Sequence, residues 1–428
     1  MASAPSSPPY PRSGMAGATR VATREALTRM RFGAKSILAL CLIAPRALGV
    51  ARSRAPRPRA SLTSEARMVA EAGLDEAFTA VTHLVSSRRQ ARVLDRSRSD
   101  VLQAAELLRH VNPGTFHQRP PTPETWHLER QRLGPVRYLE LSFESSYQPV
   151  HVIPGLERWL AREPNRKVPV RLLMHEDAPR PWVVCVHGAR QGQPTDLLVF
   201  RARQHHRSGF NVALPVLPVH DARALRTSAT FPTLDLLDNL HAITQAVSDL
   251  RQTLAWIRQQ EASAIAVHGL SLGGHLAAML VGLEDTIDVA IAGVPMSSVL
   301  GVLRSHVIRP LTGDRDTASY LGSEPARALD RLTSPLELAP LVPRDRLFVY
   351  GGYADQLSTF AQAESLWHHW GKPAYCWYPG GHVGAVMSGR VQGFVENALG
   401  WLSPGRPLRA GPVKGRADTL ATQHGGHR

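Results

Sequence analysis

Between residues 182 and 381, six short apolar runs follow one another, and most stop at a glycine or proline. They are "WVVCVHG" (182–188), "FNVALPVLPVH" (210–220), "AIAVHG" (264–269), "VAIAGVP" (289–295), "RLFVYGG" (346–352) and "AYCWYPGG" (374–381). Compact, near-continuous apolar runs of this kind suit strands buried on both faces, as in a parallel sheet covered by helices. The intervening sequence has the helical period. Leu237, Leu240, Val247, Leu250, Leu254 and Ile257 recur mostly at three- and four-residue steps, which predicts an amphipathic helix between the second and third runs. Strands alternating with helices imply an α/β fold with a mostly parallel central sheet flanked by helices. Two earlier segments, "VRYLELSFESSY" (136–147) and "VPVRLLMHE" (168–176), read as further strands, the first by its apolar–polar alternation.

Composition divides the 428 residues into four stretches. Residues 1–60 are rich in Pro, Ser, Ala and Arg and carry eleven Arg and Lys against one acid, Glu25. They read as a basic disordered leader. Residues 61–130 form a helical extension, with helical spacing over 62–85 and 99–111 before Pro113, Pro120, Pro121 and Pro123 interrupt it. Residues 136–402 form the main domain. Residues 403–428 read as a disordered basic tail; five Arg and Lys stand against one acid, Asp418, over 401–428. The overall charge of +15 therefore sits at the ends, and the body is close to neutral.

The 43% hydrophobic content supports a large core, and no stretch approaches the roughly 18 apolar residues of a membrane span. Basic ends suit weak contact with an anionic membrane surface. No zinc-finger spacing or basic heptad helix accompanies them, so a specific nucleic-acid partner is not expected. Arg31 and Lys35 precede "SILALCLIA" (36–44), which resembles a weak signal or transit segment, but the run is short and Arg46 soon follows. Three scattered cysteines, Cys41, Cys185 and Cys376, argue against a disulfide framework. Together these features favour a cytoplasmic location. They leave the oligomeric state open.

The chemistry concentrates around "HGLSLGGH" (268–275). Its pentad Gly269-Leu270-Ser271-Leu272-Gly273 has the form G-x-S-x-G, a weak signal alone, but it joins an apolar strand to an apolar helix start. A turn that sharp strains its central residue, and Gly269 and Gly273 remove the side chains that would collide there. A structural turn needs no serine at its apex. A serine nucleophile needs a base, and "YPGGHVGAV" supplies His382 after the last strand. The base needs an acid to fix its tautomer, and "RLFVYGGYADQLS" supplies Asp355 just beyond a strand end. Asp314 and Asp316 are rival acids that follow no strand. The N–H groups of Leu272 and Ala189 are candidate oxyanion donors, with Gly188 letting the chain turn inward after "CVHG".

In that order, "VCVHG", "GLSLGG", "GGYADQL" and "PGGHVG" resemble the α/β-hydrolase superfamily over roughly 136–402. The resemblance implies an α/β-hydrolase fold and a Ser271–His382–Asp355 acyl-transfer mechanism on a small-molecule or lipid ester, with no metal and no organic cofactor. A carboxylic-ester hydrolase of esterase or lipase type is the leading expectation. A catalytically silent scaffold acting as a binding protein is the alternative. Residues 297–345 give no clear lipase-like cap, and Arg304, Arg309 and Arg315 there read as a solvated loop before an acid-substrate site. The pairs His205-His206 and His368-His369 diverge by about 100° on a helix, so joint metal ligation is not expected. His275 is expected to pack or line the pocket instead of serving as base.

Overall fold

The structure is a computed structural model and describes residues 68, 70–73, 75, 98–149, 151–177, 179–224, 231–307 and 315–402. The leader 1–60, the tail 403–428, Cys41, Asp314 and Arg309 lie outside the described residues.

Among the described residues, nine strands form one sheet. They are β1 (His127–Leu133), β2 (Val136–Glu144), β3 (Lys167–Leu173), β4 (Pro181–Val186), β5 (Asn211–Pro215), β6 (Ala264–Leu270), β7 (Val289–Gly293), β8 (Leu347–Gly352) and β9 (Ala374–Tyr378). Their spatial order is β1-β2-β3-β5-β4-β6-β7-β8-β9. The pairs β1–β2, β2–β3 and β3–β5 are antiparallel, and every pair from β5 to β9 is parallel. All six apolar runs and both earlier segments contain strands of this sheet. β1 had no sequence signal, because HLERQRL is a polar edge strand whose charges keep its free edge in water.

The apolar runs are continuous because both sheet faces are covered. Successive residues of β4 alternate between the two layers: Trp182, Val184 and Val186 join one core, and Val183 and Cys185 the other. Helices α1 (Leu236–Gln259), α2 (Leu272–Val281) and α3 (Phe360–His369) cover the first face, and α4 (Gly389–Leu399) covers the second.

Asp235 caps α1, accepting from the N–H groups of Leu237 and Asp238 at 3.1 Å each. The apolar stripe predicted for this helix is buried against the sheet. Its polar face is buried too, because residues 113–166 lie across it. Trp159 Nε1 donates to Gln245 Oε1 at 2.7 Å, and Arg251 donates to Glu284 and to the His117 carbonyl. The helical residues 98–107 extend that cover, with Val101, Ala104 and Leu108 packed against Leu236, Leu237 and Leu240. Among the described residues, no helix is long and apolar enough to cross a membrane.

The sheet order also places a crevice. The chain leaves β4 toward β5 on one side, and leaves β6 toward β7 on the other. Connections that diverge from neighbouring parallel strands open a gap at their carboxyl ends, where α/β sheets bind ligands.

Candidate active site

β6 ends at Leu270 and α2 begins at Leu272, so Ser271 makes the turn alone. Its backbone lies at φ 57°, ψ −113°, outside the regions that residues bearing a Cβ adopt freely. Such a conformation costs on the order of 1–3 kcal/mol and persists only where its surroundings impose it. Here the Ser271 N–H donates to the Gly293 carbonyl of β7 at 2.8 Å, and the Ser271 carbonyl accepts from the His275 N–H at 2.9 Å. The glycines are steric necessities. A Cβ on Gly269 would collide with the Gly273 carbonyl, and one on Gly273 would collide with the Val186 carbonyl of β4. Leu272 and Gly273 occupy the first turn of α2, where backbone N–H groups have no acceptor within the helix.

The loop after β4 lies against this turn. A Cβ on Gly188 would stand 3.2 Å from the Leu270 carbonyl and 3.4 Å from Ser271 Cβ, so glycine permits the approach. His187 holds the loop. Its Nε2 accepts from the Leu217 N–H at 3.0 Å, which leaves the proton on Nδ1 to donate to the Gly188 carbonyl at 2.8 Å. Burial, with His220 and two arginines nearby, pushes its pKa far below the usual histidine value, so it is a neutral brace. Ala189, next in the chain, is partly buried beside the turn.

Two further loops meet after β8 and β9. Asp355 Oδ2 accepts from His382 Nδ1 at 2.7 Å; the side chains are 2% and 11% exposed. The other carboxylate oxygen accepts from the N–H groups of Leu357 and Ser358 at 2.9 and 3.0 Å. Burial alone would raise the Asp355 pKa, but His382 and these donors outweigh it and hold the carboxyl below its ordinary value. Burial alone would lower the His382 pKa, but the charge and hydrogen bond of Asp355, with Asp75 behind, raise it. With Nδ1 donating to the acid, the neutral ring keeps Nε2 as its free acceptor.

Asp355 and His382 are thus in contact, and Gly188, Gly269 and Gly273 surround Ser271. The rival Asp316 is exposed in the first turn of the helix Arg315–Leu321. His275 is fully buried and bonded through Nδ1 to the Met296 carbonyl at 3.0 Å, and burial depresses it to about 4. His205 is buried, and His206 stacks on His175 at 3.9 Å. His368 is exposed, and His369 donates to the Leu338 carbonyl at 2.8 Å. Arg304 is partly buried, and the Arg315 side chain lies outside the described residues. Among the described residues, no group of three or more His, Cys, Asp or Glu side chains is disposed to hold a metal ion.

Three residues at the site escape sequence reasoning. Ser358 Oγ stands 2.9 Å from the Val294 carbonyl, 3.0 Å from Asp355 Oδ2 and 3.2 Å from His382 Nδ1. It bridges β7's exit to the acid and base. Glu71 and Asp75, from the helical extension, reach the His382 loop. Their partners on that loop are backbone N–H groups, which carry no sequence signal.

Taken without β1, the strand order β2-β3-β5-β4-β6-β7-β8-β9, with β3 alone antiparallel to its two neighbours and a strand–serine–helix turn after β6, is that of the α/β-hydrolase fold. No protein-family model matches the chain. The uncharacterized protein Rv2627c of Mycobacterium tuberculosis (strain ATCC 25618 / H37Rv) is 39% identical over 319 residues, covering 72% of this chain and 76% of that one. Uncharacterized protein MT2702 of strain CDC 1551 / Oshkosh matches to the same extent. The chain belongs to the family of these mycobacterial proteins. Among solved structures, acetyl xylan esterase 1 from Thermoanaerobacterium sp. JW/SL YS485 is similar with a TM-score of 0.45 and 15% identity, covering 70% of this chain and 92% of that one. An esterase from Pyrobaculum calidifontis is similar with a TM-score of 0.41 and 17% identity, covering 73% and 94%.

Proposed function

We propose that this protein is a serine hydrolase that cleaves a carboxylic ester of a small molecule or lipid through an acyl-enzyme on Ser271. The observation that carries this reading is the buried Asp355–His382 pair, ending on the same sheet rim as a serine held in a strained strand-to-helix turn. In this reading His382 Nε2 takes the Ser271 hydroxyl proton as the oxygen attacks the ester carbonyl carbon. The carbonyl oxygen gains negative charge and accepts from the N–H groups of Leu272 and Ala189. Collapse breaks the bond to the leaving alkoxide, which takes the proton from His382. Water then gives a proton to His382 and attacks the acyl carbon. Collapse of the second intermediate releases the acid as the Ser271 oxygen takes that proton back from His382. Asp355 remains ionised throughout and stabilises the imidazolium.

A fluorophosphonate probe tests this reading. Wild type is expected to label, and Ser271→Ala to lose the label while keeping its fold. Absence of labelling on folded wild type would favour the silent scaffold. A panel of p-nitrophenyl esters of graded chain length then reads the acyl preference.

A further inference from the structure

The glycines around His382 have a use that the hydrolase chemistry leaves unexplained. Gly380, Gly381 and Gly384 all have φ outside the left-handed region, so none is needed for its backbone conformation. Each is needed for space. A Cβ on Gly380 or Gly384 would collide with the Glu71 carboxylate, and one on Gly381 would come within 2.9 Å of Asp75 Oδ2 and 3.0 Å of the Glu71 backbone. The loop is shaped to admit two carboxylates from a helical segment some 300 residues earlier in the chain.

Those carboxylates grip the loop by its backbone. Glu71 accepts from the Gly381 N–H at 2.8 Å. Asp75 Oδ2 accepts from the His382 N–H at 2.7 Å and from the Gln356 N–H at 3.1 Å, and Oδ1 accepts from the Val383 N–H at 3.3 Å. Gln356 follows the acid, and His382 is the base. One side chain therefore ties together the two loops that must stay in register for the Asp355–His382 bond to exist. Asp75 is completely buried, and Met68 and Ala72 pack on Ala354 beside it. A buried carboxylate is retained against its desolvation cost only where donors or charge compensate it, and here both do.

Building on the hydrolase reading, we propose that Asp75, seconded by Glu71, is a positioning residue. It clamps the acid and base loops into their working register and makes the segment preceding the sheet domain an integral part of the active site. The charges facing it are His382 and Asp355, with Glu71 on the same helical segment and the Tyr378 hydroxyl also close. Burial first, then repulsion from Asp355, pushes Asp75 up to about 6 against the pull of His382 and its amide donors. Above that pH it carries a charge that favours protonated His382.

The test uses the full chain with Asp75→Asn and Glu71→Gln. Asp75→Asn is expected to lower kcat on a p-nitrophenyl ester roughly 10- to 100-fold with KM little changed, as misplacement of a reacting group does. The acid limb of its kcat/KM profile is expected to move to lower pH, because His382 loses a neighbouring negative charge. Amide exchange in 353–358 and 380–386 should speed up in both variants, less in Glu71→Gln. Unchanged kcat and pH limb in a folded Asp75→Asn overturn the proposal. If Asp75→Asn does not fold, unchanged exchange at 380–384 in Glu71→Gln overturns it instead. Should wild type neither turn over esters nor label, the hydrolase reading fails on its own. The clamp is then decided by exchange and by the His382 ring titration in NMR, which Asp75→Asn must shift downward.

Discussion

Two buried carboxylates in this molecule each face a basic side chain, and on the hydrolase reading only one of the two pairs takes part in chemistry. Asp249 on α1 lies 2.7 Å from Arg223 Nη2, and the two side chains are 4% and 1% exposed. Asp355 lies 2.7 Å from His382 Nδ1 with similar burial. Arg223 also donates to the carbonyls of Val216 and Asn165, so its guanidinium is spent on structure. Its charge is permanent. Burial leaves Asp249 with a raised pKa despite that partner, whereas Asp355, met by His382 and several donors, is lowered. Desolvated charge alone therefore does not mark a functional site. What differs is that His382 can give up its proton, and that its loop follows a strand ending on the same sheet rim as a strained serine.

The largest expected contrast comes from neutralising each acid's role. Asp355→Asn should leave the fold intact, since the amide fits the same space, yet present the wrong hydrogen-bonding partner to His382. A drop of roughly 10⁴ in kcat, with the melting temperature nearly unchanged, is the expected result. At the other pair, Arg223→Met strands Asp249 without its cation. Loss of about 3–5 kcal/mol in chemical denaturation is expected, with turnover per folded molecule retained. The double variant Arg223→Met/Asp249→Leu should recover much of that loss. Equal catalytic damage from both sites would erase the distinction drawn between them.

Activity and stability should respond to pH in opposite senses. A base acts only when neutral, so kcat/KM should rise through the His382 pKa, displaced above the ordinary value of 6.5. Stability should run the other way. The raised pKa means that folding favours protonated His382, so this contribution is present below the unfolded value and is lost as pH rises through the folded one. Asp355 behaves oppositely, stabilising above its unfolded pKa and losing that contribution as pH falls through its depressed folded value. Activity climbing while denaturation midpoints decline over the same interval is the expected signature. Parallel movement of both would contradict the assigned charge states.

The same contrast explains what the amino-acid sequence revealed in advance. Strands β4 and β6 to β8 announced themselves because burial on both faces demands unbroken apolar runs, and Ser271 because its turn demands glycines at fixed offsets. The contact between Asp355 and His382 was expected from the loops after β8 and β9 in which they lie. β1 stayed hidden because an edge strand such as HLERQRL is selected for charge, which looks like a loop. The buried polar face of α1 was invisible too. Gln245, Arg251 and Asp249 are ordinary exposed-helix residues, and only the chain folded across them turns them inward. Glu71 and Asp75 lay beyond reach for a related reason. Their partners are backbone N–H groups some 300 residues away, which leave no side-chain pattern to match.

Ser358 gives the smallest effect and the finest distinction. Its hydroxyl has one proton, and both the Val294 carbonyl and Asp355 Oδ2 lie within reach of it. Its backbone N–H, already bound to Asp355 Oδ1, survives substitution. Ser358→Ala therefore removes one donor from a carboxylate that keeps its other partners. About 1 kcal/mol of stability is the expected loss. If the hydroxyl also fixes the Asp355–His382 angle, kcat should fall a further few-fold, roughly 3- to 10-fold, without a change in KM. Asn165, which bonds to Val219 N–H at 2.9 Å beside Arg223, is the matching control, since its loss should register in stability alone. Ser358→Ala with full kcat and a lowered melting temperature would assign Ser358 to the scaffold, with Arg223, and confine the reacting groups to the three residues on the rim.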